Sequence, residues 1–197
     1  MRDKYSTIKQ DFLIGKIKGC KNYFEENGNY LETAYCYLML DNINKAKEFF
    51  NKAKSNDMRA VWGLFLLQMI EENIYSFPSY LQIRNFLEID LSLLLIYCKG
   101  DYIKNIVKYA DYMAFYNPES YKFLGRVFWA HNYLSASMYF LNKAKDTLYQ
   151  DPELHYMLGY IYYYNEKDIK KSAKSISTCL EILPEYAPAK NFMKILN

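Results

Sequence analysis

The chain has 197 residues, a length typical of one domain or at most two small ones. It carries 25 Lys and Arg residues against 22 Asp and Glu, and a net charge of +3 is too small to indicate a polyanionic partner. Hydrophobic residues make up 51% of the chain, but its apolar runs, such as residues 93–98, are far shorter than the roughly 20 residues of a membrane-spanning helix. The composition predicts a soluble chain with a substantial core, and argues against a membrane protein and against nucleic-acid binding.

The N-terminal region predicts one helix within residues 1–26. Its first ten residues are polar, with no apolar segment of the kind that signal peptides contain, so we expect an intracellular, cytoplasmic protein, with a nuclear location as an alternative. Large apolar residues recur at helical spacing along one face of this region: Tyr5, Ile8, Phe12, Ile17, Cys20 and Phe24.

The four cysteines are far apart in the sequence, with no Cys-x-x-Cys motif that would indicate a zinc site. Each lies in a predicted apolar helix face: Cys20, Cys36, Cys98 and Cys179. We therefore expect all four to be buried, reduced thiols, as is usual inside the cell.

Residues 27–57 predict a pair of helices joined by a turn at Asp41-Asn42. Two helices cross closely only where the facing side chains are small, and an aromatic ring fills the space beside them. One face of each helix has this composition: Tyr30, Ala34 and Tyr37 on the first, and Ala46, Phe50 and Ala53 on the second.

The next two segments, 58–85 and 86–117, predict less regular pairs. In the first, Trp62-Gly63 and Leu66 fit a helix, but Pro78 interrupts the second helix, which must begin near it. In the second, a turn at 99–102 precedes an apolar stripe formed by Ile106, Tyr109, Ala110 and Met113.

The C-terminal half repeats itself with an offset of 34 residues. Asn117-Pro118-Glu119 recurs as Asp151-Pro152-Glu153, Leu124-Gly125 as Leu158-Gly159, and Phe128 as Tyr162. Each Asx-Pro-Glu triplet is typical of a helix start, with an Asx cap, a proline at the first helical position and an acid in the first turn. The pattern predicts helix pairs at 118–151 and 152–185, the latter with a connection one residue longer, and a last helix at 186–197 after Pro184.

A period of 34 residues made of two helices resembles the tetratricopeptide repeat family. The resemblance covers about residues 27–186. It implies an all-α fold, a right-handed solenoid of about five helical hairpins capped by the N-terminal and C-terminal helices. It also implies a non-catalytic scaffold that binds a peptide or a partner helix in its concave groove. The alternative is an assembly subunit that forms a homodimer or packs within a large complex, as tetratricopeptide subunits of the anaphase-promoting complex do.

The resemblance further implies which residues face that groove, because the first helix of each hairpin lines it. In the first three hairpins these are Tyr35, Leu38, Met39, Leu64, Leu67, Leu94 and Tyr97. In the last two they are Lys122, Arg126, Trp129, Tyr156, Tyr160 and Tyr163. Such a surface would suit a peptide with apolar anchors and a carboxylate. The alternative is that the apolar residues pack against the chain's own helices.

The sequence predicts no enzyme, no cofactor and no metal site. It has no glycine-rich phosphate loop, and neither His131 nor His155 stands near a recognisable nucleophile and acid. His155 is expected to pack inside a hairpin, and His131 to lie at a turn. The lysines at 167, 170, 171 and 174 are most simply the solvated face of a helix.

Overall fold

The computed structural model describes residues 3–55 and 57–196, which contain thirteen α-helices and no strand. The helices are α1 (Lys4–Leu13), α2 (Cys20–Glu26), α3 (Tyr30–Met39), α4 (Ile43–Ala53), α5 (Met58–Ile70), α6 (Tyr80–Ile96), α7 (Gly100–Lys108), α8 (Ala110–Tyr116), α9 (Ser120–Ala130), α10 (Leu134–Thr147), α11 (Pro152–Tyr164), α12 (Ile169–Ile182) and α13 (Ala187–Leu196). Most helices pack against their neighbours in sequence, so the predicted all-α class is confirmed. The chain divides after Asn117 into two compact units.

The first unit begins with two helices where the sequence predicts one. Between α1 and α2, Gly15 and Gly19 have φ angles of +89° and +83°, a left-handed conformation that glycine adopts without strain and that ends an α-helix. The apolar stripe nevertheless comes together, since the rings of Phe12 and Phe24 meet edge to face at 6.4 Å. The single N-terminal helix is therefore wrong, although its buried face is kept; residues 1 and 2 lie outside the described part.

Helices α3 and α4 form the hairpin predicted for 27–57. Asp41 turns the chain with a φ of +60°, and the side chain of Asn42 caps α4 by accepting a hydrogen bond from the Lys45 amide at 3.1 Å. Phe50 of α4 packs edge to face against Tyr35 of α3. Phe50 also lies so close to Gly63 of α5 that a Cβ atom there would collide with its ring.

The middle of the first unit departs from the predicted pairs. Helix α6 begins at Tyr80, close to Pro78 as expected, but it runs unbroken through the boundary predicted between residues 85 and 86. A capping box of Ser79 and Gln82 starts this helix, and no glycine or proline interrupts it before residue 96. As a result α6 packs against both α5 and α7.

The helix predicted after the 99–102 turn is in fact two short helices, α7 and α8, which part at Tyr109. The turn itself ends earlier than predicted, because α7 already begins at Gly100. The apolar stripe is buried at Ile106, Ala110 and Met113, while Tyr109 is only half-buried.

The second unit contains two hairpins with the same internal contacts. Ser137 of α10 donates a hydrogen bond to the carbonyl of Gly125 in α9 at 2.8 Å. Ser172 of α12 does the same to Gly159 in α11 at 2.7 Å. The glycines are 34 residues apart and the serines 35, so the connection in the second hairpin is one residue longer, as predicted.

Both glycines lie at close helix crossings, as the sequence predicts. A Cβ atom on Gly125 would lie 2.6 Å from the side chain of Leu141, and one on Gly159 would lie 2.6 Å from Ile176. Because real Cβ atoms do not approach neighbours this closely, a larger residue at either position would force Leu141 or Ile176 to shift.

The two predicted helix starts of this unit differ in outcome. Asp151 caps α11 by accepting a hydrogen bond from the Leu154 amide at 3.2 Å, with Pro152 as the first helical residue. Helix α9 begins only at Ser120, so Glu119 and not Asn117 precedes it, and the Asn117 side chain donates to the carbonyl of Tyr80 at 3.4 Å. At the other end, α12 stops before Pro184 and α13 follows as predicted.

Three of the four cysteines are buried as predicted: Cys20, Cys36 and Cys179. Cys98 is exposed, because it lies in the turn after α6, with a φ of +55°, rather than on an apolar helix face. His155 is buried inside its hairpin and His131 lies at the turn after α9, both as expected.

None of the helices among the described residues is both long and apolar enough to cross a membrane.

Candidate interaction surface

Lys122 on α9 is enclosed by three carboxylates. Its Nζ atom lies 2.6 Å from Asp151, 3.3 Å from Glu153 and 3.6 Å from Glu119, and its side chain is only 8% exposed. Burial alone would lower the pKa of Lys122, but the hydrogen bonds and charges of Asp151 and Glu153 together outweigh it and raise that pKa. The lysine therefore ties α9 to the start of α11. The expectation that it faces a ligand is corrected, since its charge is already neutralised inside the fold.

Arg126 and Trp129 follow Lys122 along α9 and are half-buried. The guanidinium of Arg126 binds Glu153 of α11 at 3.1 Å, and the ring of Trp129 meets that of Tyr160 at 5.3 Å. The residues predicted on adjacent first helices thus do lie beside one another. Arg126 is thus paired with a carboxylate, and Trp129 with an aromatic ring, of the same unit.

The three predicted tyrosines of α11, Tyr156, Tyr160 and Tyr163, are half-buried against the C-terminal helix. Phe192 of α13 lies among them, with ring centroids 6.3, 5.7 and 5.4 Å away respectively. Helix α13 therefore covers the side of α11 to which a ligand was expected to bind.

Most of the groove residues predicted in the first unit are buried in its core. This applies to Tyr35, Leu38, Met39, Leu67 and Leu94. Leu64 and Tyr97 are half-buried, and the Tyr97 hydroxyl donates to the backbone carbonyl of Phe12 at 2.8 Å. For these five residues the alternative holds, because their side chains are buried against the chain's own helices.

A buried polar network explains why Tyr35 points inward. The carboxylate of Asp90 on α6 accepts hydrogen bonds from the Tyr35 hydroxyl at 2.6 Å and the Trp62 indole at 2.8 Å. Its other oxygen binds Arg59 at 2.6 Å. Burial alone would lower the pKa of Arg59, but the charges and hydrogen bonds of Asp90 and Tyr35 together outweigh it and raise the pKa of the guanidinium. Since the carboxylate is saturated by donors from α3 and α5, the network is structural.

The structure reveals a surface that sequence reasoning missed. Four aromatic residues lie together near the end of the first unit, here called the aromatic patch: Phe77, Tyr112, Phe115 and Tyr116. Tyr116 lies at its centre, with ring centroids 6.1 Å from Phe77, 5.2 Å from Phe115 and 5.3 Å from Tyr112. Phe77 is 74% exposed and Phe115 82%, so two large apolar side chains face solvent side by side with a tyrosine between them.

The loop that carries Phe77 is held in place by partly buried polar contacts. The side-chain oxygen of Gln68 accepts hydrogen bonds from the backbone amides of Tyr75 and Ser76 at 3.0 and 3.1 Å. The Tyr112 hydroxyl donates to the carbonyl of Ser76 at 3.3 Å. Burial, together with a hydrogen bond to Tyr116, raises the pKa of Tyr112 to about 12. The aromatic patch is therefore pre-organised before any partner arrives.

Among the described residues, no three metal-binding side chains come together in a way that could hold an ion. Comparison with known proteins gives no matching family model and no matching curated protein.

Proposed function

We propose that the protein is a non-catalytic scaffold of the tetratricopeptide type that binds a protein partner through the aromatic patch. The repeat argument comes from the second unit, where two successive hairpins use the same glycine, the same serine and a bulky aliphatic side chain at equivalent places. Arrays built in this way serve mainly to present extended binding surfaces.

The exposure of Phe77 and Phe115 is the observation that carries the proposal. Burying one phenylalanine side chain is worth about 1.5–3 kcal/mol, so two contribute about 3–6 kcal/mol to association. Association itself costs at least about 4 kcal/mol, so the two rings act as anchors within a larger contact. Clustered aromatic residues are typical of such anchors.

The chemistry of the aromatic patch defines the partner. Its four rings carry no formal charge, so the complementary surface presents apolar side chains, such as the aliphatic face of a helix. This moves the binding surface away from the residues expected in the concave groove, because those are buried, half-buried or in contact with other parts of the fold.

The proposal is tested by affinity capture with two matched double variants. Phe77→Ser with Phe115→Ser removes the anchors of the aromatic patch. Tyr133→Ser with Ile169→Ser removes two side chains that are 54% and 57% exposed elsewhere. We expect one set of proteins to bind the unmodified chain and the control variant but not the patch variant, with unchanged circular dichroism. Identical capture by both variants would contradict the proposal.

A second copy of the chain could occupy the aromatic patch instead of a separate partner, and a measurement of the molecular mass in solution distinguishes the two. A monomer over a wide concentration range supports a separate partner. A dimer that the patch variant abolishes would replace the proposal with the assembly-subunit alternative.

A further inference from the structure

A small cleft of about 270 Å³ opens between α10, α11 and α12 in the second unit. Three lysines line it, Lys145 from α10 and Lys171 and Lys174 from α12, and no carboxylate does. Sequence alone predicts a solvated face for the α12 lysines. The structure adds a lysine from another helix, which makes the face one wall of a concave, positively charged site. We call it the lysine cleft.

The positive charge of the lysine cleft is only partly compensated. Lys171 is bound by Asp168 at 3.2 Å and by Glu166 at 3.7 Å. Within the part of the chain that the structure describes, neither Lys145 nor Lys174 forms an ion pair. Two ammonium groups without a carboxylate partner on one concavity attract an anion more strongly than the same groups on a convex surface, because the low-dielectric walls concentrate the field.

The remaining walls of the lysine cleft are ordered and carry hydroxyl groups. His155 is buried, and its Nε2 donates to the backbone carbonyl of Tyr149 at 2.7 Å, while the two rings meet edge to face at 5.0 Å. Tyr162, Ser175 and Thr178 also line the cleft. The Thr178 hydroxyl donates to the carbonyl of Lys174 at 3.1 Å, which leaves the hydroxyl groups of Tyr162 and Ser175 to donate to an anion that the lysines attract.

A second cleft, of about 790 Å³, adjoins the first and shares Lys145, Tyr162 and Lys171 with it. Its chemistry differs, since Tyr139 offers an exposed aromatic ring and Asp146 and Glu166 offer acceptors. We call it the tyrosine cleft. A molecule that spans both would need an anionic end and a larger organic part that carries hydrogen-bond donors.

We propose that the two joined clefts bind a phosphorylated small molecule, with its phosphate in the lysine cleft and its organic part in the tyrosine cleft. A phosphate group carries up to two negative charges and three acceptor oxygens, which matches the two ammonium groups without a carboxylate partner better than the single charge of a carboxylate does. Lysine binds phosphate as a point charge and needs no fixed fork geometry, so flexible side chains from two helices can converge on one group.

Isothermal titration calorimetry with pyrophosphate and with adenosine diphosphate tests the proposal. The binding variant is Lys145→Ala with Lys174→Ala. The control is Lys54→Ala with Lys170→Ala, which removes the same charge from exposed positions outside both clefts. A hydrogen bond to a charged group is worth about 1.5 kcal/mol or more, so the binding variant should weaken the affinity at least about tenfold while the control leaves it unchanged.

The outcomes separate the parts of the proposal. Tighter binding of adenosine diphosphate than of pyrophosphate supports both clefts, whereas equal affinity would confirm the lysine cleft and overturn the role of the tyrosine cleft. No saturable binding of either compound would overturn the whole proposal. An equal loss in both double variants would do so too, because it would show only general attraction to a positive surface.

Discussion

Replacing Gly159 by leucine tests the close helix crossing that defines the repeat. The new Cβ atom would lie 2.6 Å from Cδ1 and 2.7 Å from Cγ1 of Ile176, and 3.3 Å from the backbone oxygen of Ser172, which cannot retreat as a side chain can. Overpacking of this kind costs about 1–3 kcal/mol, and we expect the upper end because leucine adds three further carbons. Leucine has a better helix propensity than glycine, which offsets about 0.8 kcal/mol of this cost, so the net loss in unfolding free energy is about 2 kcal/mol. For a chain of this length the melting temperature should fall by about 4–8 °C.

Thermal unfolding followed by circular dichroism measures the effect against a matched control. Gly100 begins α7 with no atom near its ideal Cβ position, so Gly100→Leu should leave the melting temperature unchanged or slightly raised. Adding Ile176→Ala to Gly159→Leu should recover part of the loss, because it clears the space that the leucine needs. If Gly159→Leu melted like the control, the repeat register would be refuted.

Three further predictions concern the cysteines, the last helix and the buried lysine. At about pH 8 iodoacetamide should alkylate the exposed Cys98 first. Burial raises the pKa of Cys36 to about 12 and of Cys179 to about 11, so both thiols stay protonated and unreactive. Intact-protein mass spectrometry measures the number of added groups, and a second addition as fast as the first would contradict this. Removing residues 186–197 should cause aggregation in light scattering, because Phe192 no longer covers α11, and an equally stable monomer would exclude a capping role. Lys122→Met should lower the free energy of unfolding by about 1–3 kcal/mol at neutral pH, less than for a fully buried pair because Glu153 is partly exposed. Because the pKa of Lys122 is higher in the folded than in the unfolded protein, its charge stabilises the fold fully below about pH 10.4. The difference in unfolding free energy between Lys122→Met and the unmodified chain, measured by urea titration, should therefore shrink as the pH rises above that value. Equal stability of the two proteins at neutral pH would contradict the ion cluster.

The local features of the fold could be predicted from the sequence because each depends on residues close together in the chain. The Asp151-Pro152 pair caps and starts α11, and the Asp41-Asn42 turn separates α3 from α4. The 34-residue offset also places Gly159 at its crossing, since spacing within a repeat fixes which helix faces meet. Glycine can end a helix as well as sit inside one, however, and for Gly15 the sequence pattern did not distinguish the two.

The candidate site depended on contacts between distant residues, which spacing does not encode. From the sequence Lys122 looks like a surface cation, because its partner Asp151 lies 29 residues further along the chain. Tyr35 was expected in the groove, but its hydroxyl donates a hydrogen bond to the buried carboxylate of Asp90, 55 residues away in the sequence. Phe77 lies in a loop outside any periodic pattern, so no helical face predicted its exposure.

Hydroxyl-radical footprinting of the full chain tests the central claim most directly, by comparing the isolated protein with the protein in extracts of the cells that make it. Two exposed side chains outside the aromatic patch, Tyr133 and Ile169, serve as internal references. We predict that oxidation of Phe77 and Phe115 falls together in the extract while that of the references stays constant. Unchanged oxidation of both phenylalanines, or protection of the references alone, would contradict the claim that the aromatic patch binds a partner.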